Sequence, residues 1–417
     1  MIDERSAIIP FWHQRPALLI ASACVIEILS MMTLSTFPSL IPVFQAEWGI
    51  SNAAAGTISG LYFAGLLSAV SVLTALTDRM NAKLIFLGGL ALAALGTFGF
   101  AFAAEGAWSA GLWRALQGMG LGATYMPGLK ILTDHLPEQY RSRGTSFYTA
   151  SYYLAAGLSY FLTLELEPAV GWSLTFAISG LGPLIAFVLA LWLIPATPAP
   201  EIPLETHLLD YRPVLRNRQA LGFSLLYGLH NFELIAFSSW IIPFLVFSQT
   251  LQATGASDVG LSLGSIAALV SIVGLPASVL INEVSHRIGR QYVIIAVMLI
   301  SAAVGVGFGM MAAAHFWWVI ATAFLLSITT AGDSATLTAG VVQVATPRYK
   351  GTTMSLYSII GFSGAFAGPA LFGLVLDLGG GERDPGAWVL AFGSIAAVLM
   401  LGPLITIALV GLKRIYY

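Results

Sequence analysis

Residues 84–104 read Leu-Ile-Phe-Leu-Gly-Gly-Leu-Ala-Leu-Ala-Ala-Leu-Gly-Thr-Phe-Gly-Phe-Ala-Phe-Ala-Ala, without one charged side chain. As an α-helix rising about 1.5 Å per residue, this stretch reaches roughly 31 Å, enough to cross the ~30 Å hydrocarbon core of a bilayer. Working outward, comparable apolar runs lie near 16–44, 54–76, 107–132, 145–164 and 172–195, and again near 220–247, 260–282, 292–313, 316–344, 353–376 and 388–411. Strands of a membrane barrel would be about ten residues long with alternating polarity, and no run alternates in that way. The fold expected is an all-α polytopic membrane protein with twelve transmembrane helices.

Composition agrees. Of 417 residues, 57% are hydrophobic and 9% charged, whereas a soluble domain carries about 25% charged residues. The formal net charge is −2, so no basic field recruits nucleic acid. Cys24 is the only cysteine, which excludes an intramolecular disulfide framework and a cysteine-based metal centre. The first run is too long for a signal-peptide core and reads as an uncleaved first span.

Fifteen of the 18 lysines and arginines fall on the face that carries the amino terminus, from Arg5 and Arg15 to Lys413 and Arg414, and only Arg383 lies in an opposite loop. The positive-inside rule then places both termini in the cytoplasm and the protein in the cytoplasmic (inner) membrane. Trp48, Trp108, Trp172, Trp317, Trp318 and Trp388 fall near outer span ends, where indoles favour the interface. The longest polar interruption, 196–219, separates an amino-terminal unit 1–195 from a carboxy-terminal unit 220–417. Pro137, Tyr140, Arg141, Gly144, Thr145 and Tyr148 are echoed by Pro347, Tyr349, Lys350, Gly351, Thr352 and Tyr357, the pattern of a duplicated six-span half.

Several motifs resemble the major facilitator superfamily, and the resemblance covers essentially the whole chain. The family's Gly-x-x-x-Asp-Arg-x-Gly-Arg-basic loop after the second span is met by Thr74, Asp78, Arg79, Asn81, Ala82 and Lys83, with the glycines lost. Its copy after the eighth span is met by Asn282, His286, Arg287, Gly289, Arg290 and Gln291. In the fourth span, Arg114-Ala-Leu-Gln117-Gly118-Met-Gly120 resembles the family's Arg-x-x-x-Gly-x-Gly string. The resemblance implies two pseudo-symmetric six-helix bundles around a cavity lined by spans one, four, seven and ten, with the Asp78-Arg79 loop latching the outward-open state. The antiporter pattern Gly-x-x-x-Gly-Pro-x-x-Gly-Gly is not matched in span five, where Ser151, Ala155, Ala156 and Gly157 stand without proline. Gly364 to Pro369 in span eleven reads as close helix packing with a kink.

Charged groups well inside the runs are Glu27, Arg114, Glu233 and Asp333, with His230 beside them; they occupy spans one, four, seven and ten. Each costs at least about 2.5–3.5 kcal/mol if it faces lipid, so all are expected to face one shared interior. Candidate substrate-binding or proton-coupling residues are Glu27, Arg114, Tyr125, His230, Asn231, Glu233 and Asp333. His230 and Glu233, three apart on one helix face, are placed to share a proton or clamp a solute. Arg114 either pairs with a carboxylate such as Glu27 or stands ready for an anionic substrate group. Candidate gating residues are Asp78, Arg79, Lys130, Asp134, Arg287 and Arg290, Lys130 and Asp134 pairing with each other four residues apart.

No His-Glu-x-x-His and no phosphate-binding Gly-x-x-x-x-Gly-Lys-Ser/Thr string occurs, so a zinc protease and an ATP-driven pump within the chain are unsupported. A receptor or scaffold would not need ionisable groups in four equivalent spans. The reading is not an enzyme but a secondary transporter of a small-molecule substrate, coupled to protons, without metal or cofactor, acting as a monomer in the lipid bilayer. An exporter of drugs or metabolites and a uniporter are the alternatives.

Overall fold

The computed structural model describes residues 15–76, 80–196, 211–252 and 259–412. Asp78 and Arg79, and most of the expected linker, lie outside them. Among the described residues the chain is almost wholly helical, with no strand. Span one is α1 (Pro16–Ser30), α2 (Thr36–Ser39) and α3 (Ile41–Trp48). Spans two to four are α4 (Asn52–Leu76), α5 (Ala82–Ala103) and α6 (Ala107–His135). Next comes α7 (Glu138–Leu193), broken into spans five and six at Gly171, whose φ of +75° is non-helical. After the short α8 (Arg212–Arg216), spans seven to nine are α9 (Arg218–Thr250), α10 (Leu263–Ile288) and α11 (Arg290–Met310). Span ten is α12 (Phe316–Gly332) with α13 (Ser334–Val344), span eleven is α14 (Lys350–Leu378), and span twelve runs from α15 (Pro385–Leu399) through α16 (Leu401–Ile405) to Val410.

Nine stretches of these residues are long and apolar enough to cross a membrane. The longest of them, α7, holds two traversals, and α1 to α3 and α6 supply the remaining two. The polar content of α6, with Arg114, Gln117, Lys130 and Asp134, explains why it reads as less apolar than its neighbours. Leucines and valines such as Leu95, Leu112, Val279, Leu280 and Leu404 stand exposed around the outside, where a bilayer would solvate them.

Span one is not the continuous helix its apolar run suggests. Ser30 turns its hydroxyl onto the Glu27 carbonyl at 2.8 Å, the chain loosens over Met31–Ser35, and Pro38 and Pro42 cannot donate to carbonyls a turn earlier. The tryptophans divide as well. Trp108, Trp317 and Trp318 are exposed, but Trp388 is fully buried with Nε1 donating to the Glu382 carbonyl at 2.8 Å. Trp48 and Trp172 pack into a cluster with Phe44 and Phe100.

The two bundles meet along α4 against α14 and along α7 against α10. Glycines make the first seam: side chains at Gly56, Gly60 and Gly373 would overlap the carbonyls of Pro369, Phe366 and Asn52. Within the second bundle Gly364 and Gly368 face the carbonyls of Gly228 and Phe232 in the same way, which accounts for the Gly364 to Pro369 string by close packing. On the face opposite the termini, Gly264 lies against the Phe161 carbonyl and Leu164, and the Tyr160 hydroxyl donates to the Ser238 carbonyl.

Gly364→Val should therefore overpack a backbone contact, at a cost of about 1–3 kcal/mol, and lower the melting temperature in detergent by roughly 3–10 °C. Gly88→Val, at a site with open space around it, should leave the melt close to wild type.

Candidate functional site

Glu27 comes at the end of α1, one turn before the chain loosens, and is completely buried. Its Oε2 accepts the Tyr148 hydroxyl at 2.8 Å. Tyr148 is held by Leu19, Ala23, Leu132 and Leu136, and the same hydroxyl lies 3.2 Å from the Tyr125 carbonyl. Glu27 Oε1 is buried and has no hydrogen-bond partner. The Tyr148 phenol and the nearby Ser30 hydroxyl are thin compensation for a carboxyl in a medium without water.

Arg114, on α6, is 1% exposed. Its Nη1 donates to Gln117 Oε1 at 2.8 Å and the Thr33 carbonyl at 3.2 Å, and its Nη2 to the Leu34 carbonyl at 3.3 Å. Leu34 lies four residues before Pro38, which has no N–H to offer it, so the guanidinium occupies an acceptor that the proline left free. The guanidinium carbon also lies 4.3 Å from the centre of the Tyr62 ring, a cation–π distance. Every one of these partners is neutral, and Arg114 Nε has none. Of the two readings of Arg114, pairing with a carboxylate is not seen; carbonyls and an amide take that place.

In the second bundle the His230–Glu233 pairing expected from helical spacing does not form. His230 Nδ1 instead meets Asp333 Oδ1 at 2.7 Å, because Asp333 sits at the break between α12 and α13, opposite α9. Tyr227 stacks on His230 and, at 4.0 Å between centroids, on Tyr357. Glu233 Oε1 accepts the hydroxyls of Ser301 at 2.5 Å and Thr330 at 3.1 Å, facing α11 and α12. Asn231 Nδ2 donates to the Tyr227 carbonyl at 3.1 Å, and the ring of Tyr125 leans on Tyr148.

Between the bundles lies a cavity of about 50 Å³. Its wall includes Arg114 and Ser59 from the first bundle, the tyrosines Tyr152, Tyr153 and Tyr160, and Leu234, Phe237 and Ser271 from the second. Of the ionisable residues read from the sequence, only Arg114 lines it. Glu27, His230, Glu233 and Asp333 are spent inside their own bundles, so the single chamber expected for all of them is replaced by three buried clusters, with one cation at the central void. Ser59 Oγ, buried at that wall, also lacks a partner. Serine is too common in apolar helices for Ser59 to stand out in sequence, and Tyr148 is marked there only by its echo at Tyr357.

Among the gating candidates, Lys130 and Asp134 do form an ion pair at 2.9 Å on an exposed face. Arg287 is exposed in the last turn of α10. Arg290 is buried and donates to the Thr336 carbonyl at 3.3 Å, tying α11 to α13 within one bundle. Gly289 between these two arginines has φ of +114°, a conformation that suits glycine, so the Arg-x-Gly-Arg string forms the turn between spans eight and nine.

Tyr148→Phe should destabilise the protein by about 1–3 kcal/mol, the cost of leaving a buried carboxyl without its donor. The same change in a Glu27→Leu background should be close to neutral. Melting curves of the four proteins in a double-mutant cycle check this, and additive effects would show that the contact contributes nothing.

Comparison with known proteins supplies the remaining evidence. The description Major Facilitator Superfamily matches residues 23–274 and 233–415. Human protein spinster homolog 1 is 26% identical over 299 residues, 66% of this chain and 55% of that protein. A gallate transporter of Pseudomonas putida is 30% identical over 158 residues, 37% of this chain and 34% of that protein. The matched regions therefore span about half or less of these relatives. A solved bacterial homolog of the human lysosomal transporter Spinster, in an inward-facing and occupied conformation, superposes with a TM-score of 0.72 at 16% identity, covering 95% of this chain and 96% of that one. With twelve traversals in two bundles, a void between them and a family match along nearly its whole length, the chain belongs to the major facilitator superfamily.

Proposed function

We propose that this protein is a proton-coupled secondary transporter of a small organic anion with an apolar body, working by alternating access in the cytoplasmic membrane with both termini inside. The observation that carries the substrate class is Arg114. A guanidinium stays charged at all ordinary pH; buried among neutral acceptors, with Nε directed to no partner at the wall of the central cavity, it lacks a counter-charge. A carboxylate entering the cavity would supply one through charge-assisted bonds to Nε and the neighbouring Ser59 hydroxyl. The rest of the wall mixes apolar and aromatic side chains such as Phe63, Phe237 and Tyr152 with serines such as Ser238 and Ser271, which suits a ring bearing hydroxyls behind the carboxylate. The gallate transporter of Pseudomonas putida is named for an aromatic acid of that kind.

Proton coupling rests on Glu27. Its Oε1 has no donor, so that oxygen is free to carry a proton, and the loosened backbone just after α1 connects it to the residues that Arg114 holds. Loading an anion at Arg114 and a proton at Glu27 together would move little net charge across the hydrocarbon. His230, Asp333 and Glu233 then act as braces of the second bundle. The units 1–195 and 220–417 rock about the cavity, joined by 196–219, as a monomer. With the termini inside, the face where Asn52 meets Asp377 is the outer one, and it is closed.

Purified protein in proteoliposomes tests this with radiolabelled gallate or a simple benzoate. An inwardly directed proton gradient, acid outside, should accelerate uptake. Glu27→Gln should remove that acceleration while keeping gallate exchange between the two sides, and Arg114→Gln should weaken binding by roughly tenfold or more. Uptake indifferent to pH in wild type would remove the coupling claim, and stabilisation by organic cations but not by carboxylates would remove the substrate class.

A further inference from the structure

The first N–H groups of any helix have no intrahelical acceptor. At the start of α4, Ser51 Oγ takes the Ala54 N–H at 3.1 Å, an ordinary cap from the helix's own chain. The N–H groups of Asn52 and Ala53 go elsewhere: they donate to Asp377 Oδ1 at 3.1 Å and Oδ2 at 2.8 Å, at the far end of α14 in the other bundle. The Asn52 side chain adds Nδ2 to the same Oδ1 at 2.8 Å and to Glu382 Oε2 at 3.1 Å, while its Oδ1 accepts from Gln45 Nε2 at 2.8 Å. Asn52 is 2% exposed, and Gly373, one turn before Asp377, leaves room for its carbonyl. A carboxylate of one bundle thus sits on the positive end of a helix of the other.

We propose that Asp377 is the latch of the face opposite the termini: it caps α4 across the bundle interface when that face is closed and releases it when the face opens. Parting α4 from α14 there breaks all four bonds to Asp377 and Glu382 together, which gives the closed state a sharp geometric requirement. The release stays reversible because the freed groups lie at a helix end, where water replaces the carboxylate and Ser51 still caps Ala54. The side chain is therefore a gating residue, on the face opposite the Asp78-Arg79 loop, and it acts without touching the substrate.

The test uses the full chain with Cys24→Ser and spin labels at Glu105 and Arg383, exposed on that face in the first and second bundle. Asp377→Ala should shift the ratio of short to long label distances toward the open state by on the order of tenfold, the worth of a lost carboxylate cap. Asp377→Asn, which keeps one acceptor, should shift it less. Asp384→Ala serves as the control, since Asp384 Oδ1 caps Gly386 N at 2.6 Å within its own bundle, and should leave the distances unchanged. Hydrogen exchange on the wild-type protein reads the same bond without any substitution: the amides of Asn52 and Ala53 should exchange far more slowly than the first-turn amides of α6. A folded Asp377→Ala with wild-type distances overturns the proposal, as does fast exchange at Asn52 and Ala53; if that variant fails to fold, the wild-type exchange decides alone.

Discussion

Hydrocarbon offers no hydrogen bonds, and that one property organises the molecule. Each ionisable group carried into the bilayer must be met by protein, and the quality of each meeting separates structure from function. His230 and Asp333 are met by each other, and Glu233 by two hydroxyls. Arg114 is met only by neutral acceptors and Glu27 by a phenol and a nearby hydroxyl, each with an atom left over. The bonds of the first kind tie helices of the second bundle together; the unpartnered buried atoms of Arg114 and Glu27 are what the proposed substrate and proton would meet. The proposed chemistry concentrates in the first bundle for that reason.

The same constraint links the backbone to the site. Pro38 deprives the Leu34 carbonyl of its helical donor, the carbonyl requires another, and the Arg114 guanidinium is that donor. The break in span one is therefore held by the very cation that borders the cavity. An anion drawing the guanidinium toward itself would compete with the carbonyls of Thr33 and Leu34, and the cost of freeing them would fall on the segment that follows Glu27. The second bundle keeps the pseudo-symmetric frame but fills it differently. Tyr148 and Tyr357, matched in the repeat, both reach back to span four or its equivalent: Tyr148 toward the Tyr125 carbonyl and Tyr357 to Thr338 Oγ1 at 3.0 Å. Only the first of them also serves a carboxyl.

How much of this the sequence carries depends on the range of each interaction. Apolar length is a local property, so the traversals are legible down to the break near Gly171, and a four-residue pair such as Lys130–Asp134 is legible for the same reason. Partner choice across the bundle is not local. Spacing puts His230 and Glu233 on one face, but Asp333, 103 residues away, takes the histidine, and no periodicity announces that. Arg114 stands out as an arginine in an apolar run; that its partners would be carbonyls depends on where Pro38 breaks a different helix. Asn52 and Asp377 are the extreme case, two ordinary polar residues at span ends 325 positions apart.

As the proposed latch, that last pair illustrates what kind of force can hold two bundles together. The glycine seams along α4 and α14 bring backbones into van der Waals contact over many residues, but in lipid such packing gains little from water exclusion and distinguishes weakly between neighbouring registers. Directional bonds to a helix end distinguish strongly, since a shift of one or two ångströms forfeits them together. Placed at the water-facing rim, they can be exchanged for solvent; buried at mid-membrane, the same bonds would be too costly to break and the bundles could not separate. A gate that must open repeatedly is best built where polar partners and water are alternatives, and the rim beside Asn52 meets that condition while the clusters around Glu27 and Asp333 do not.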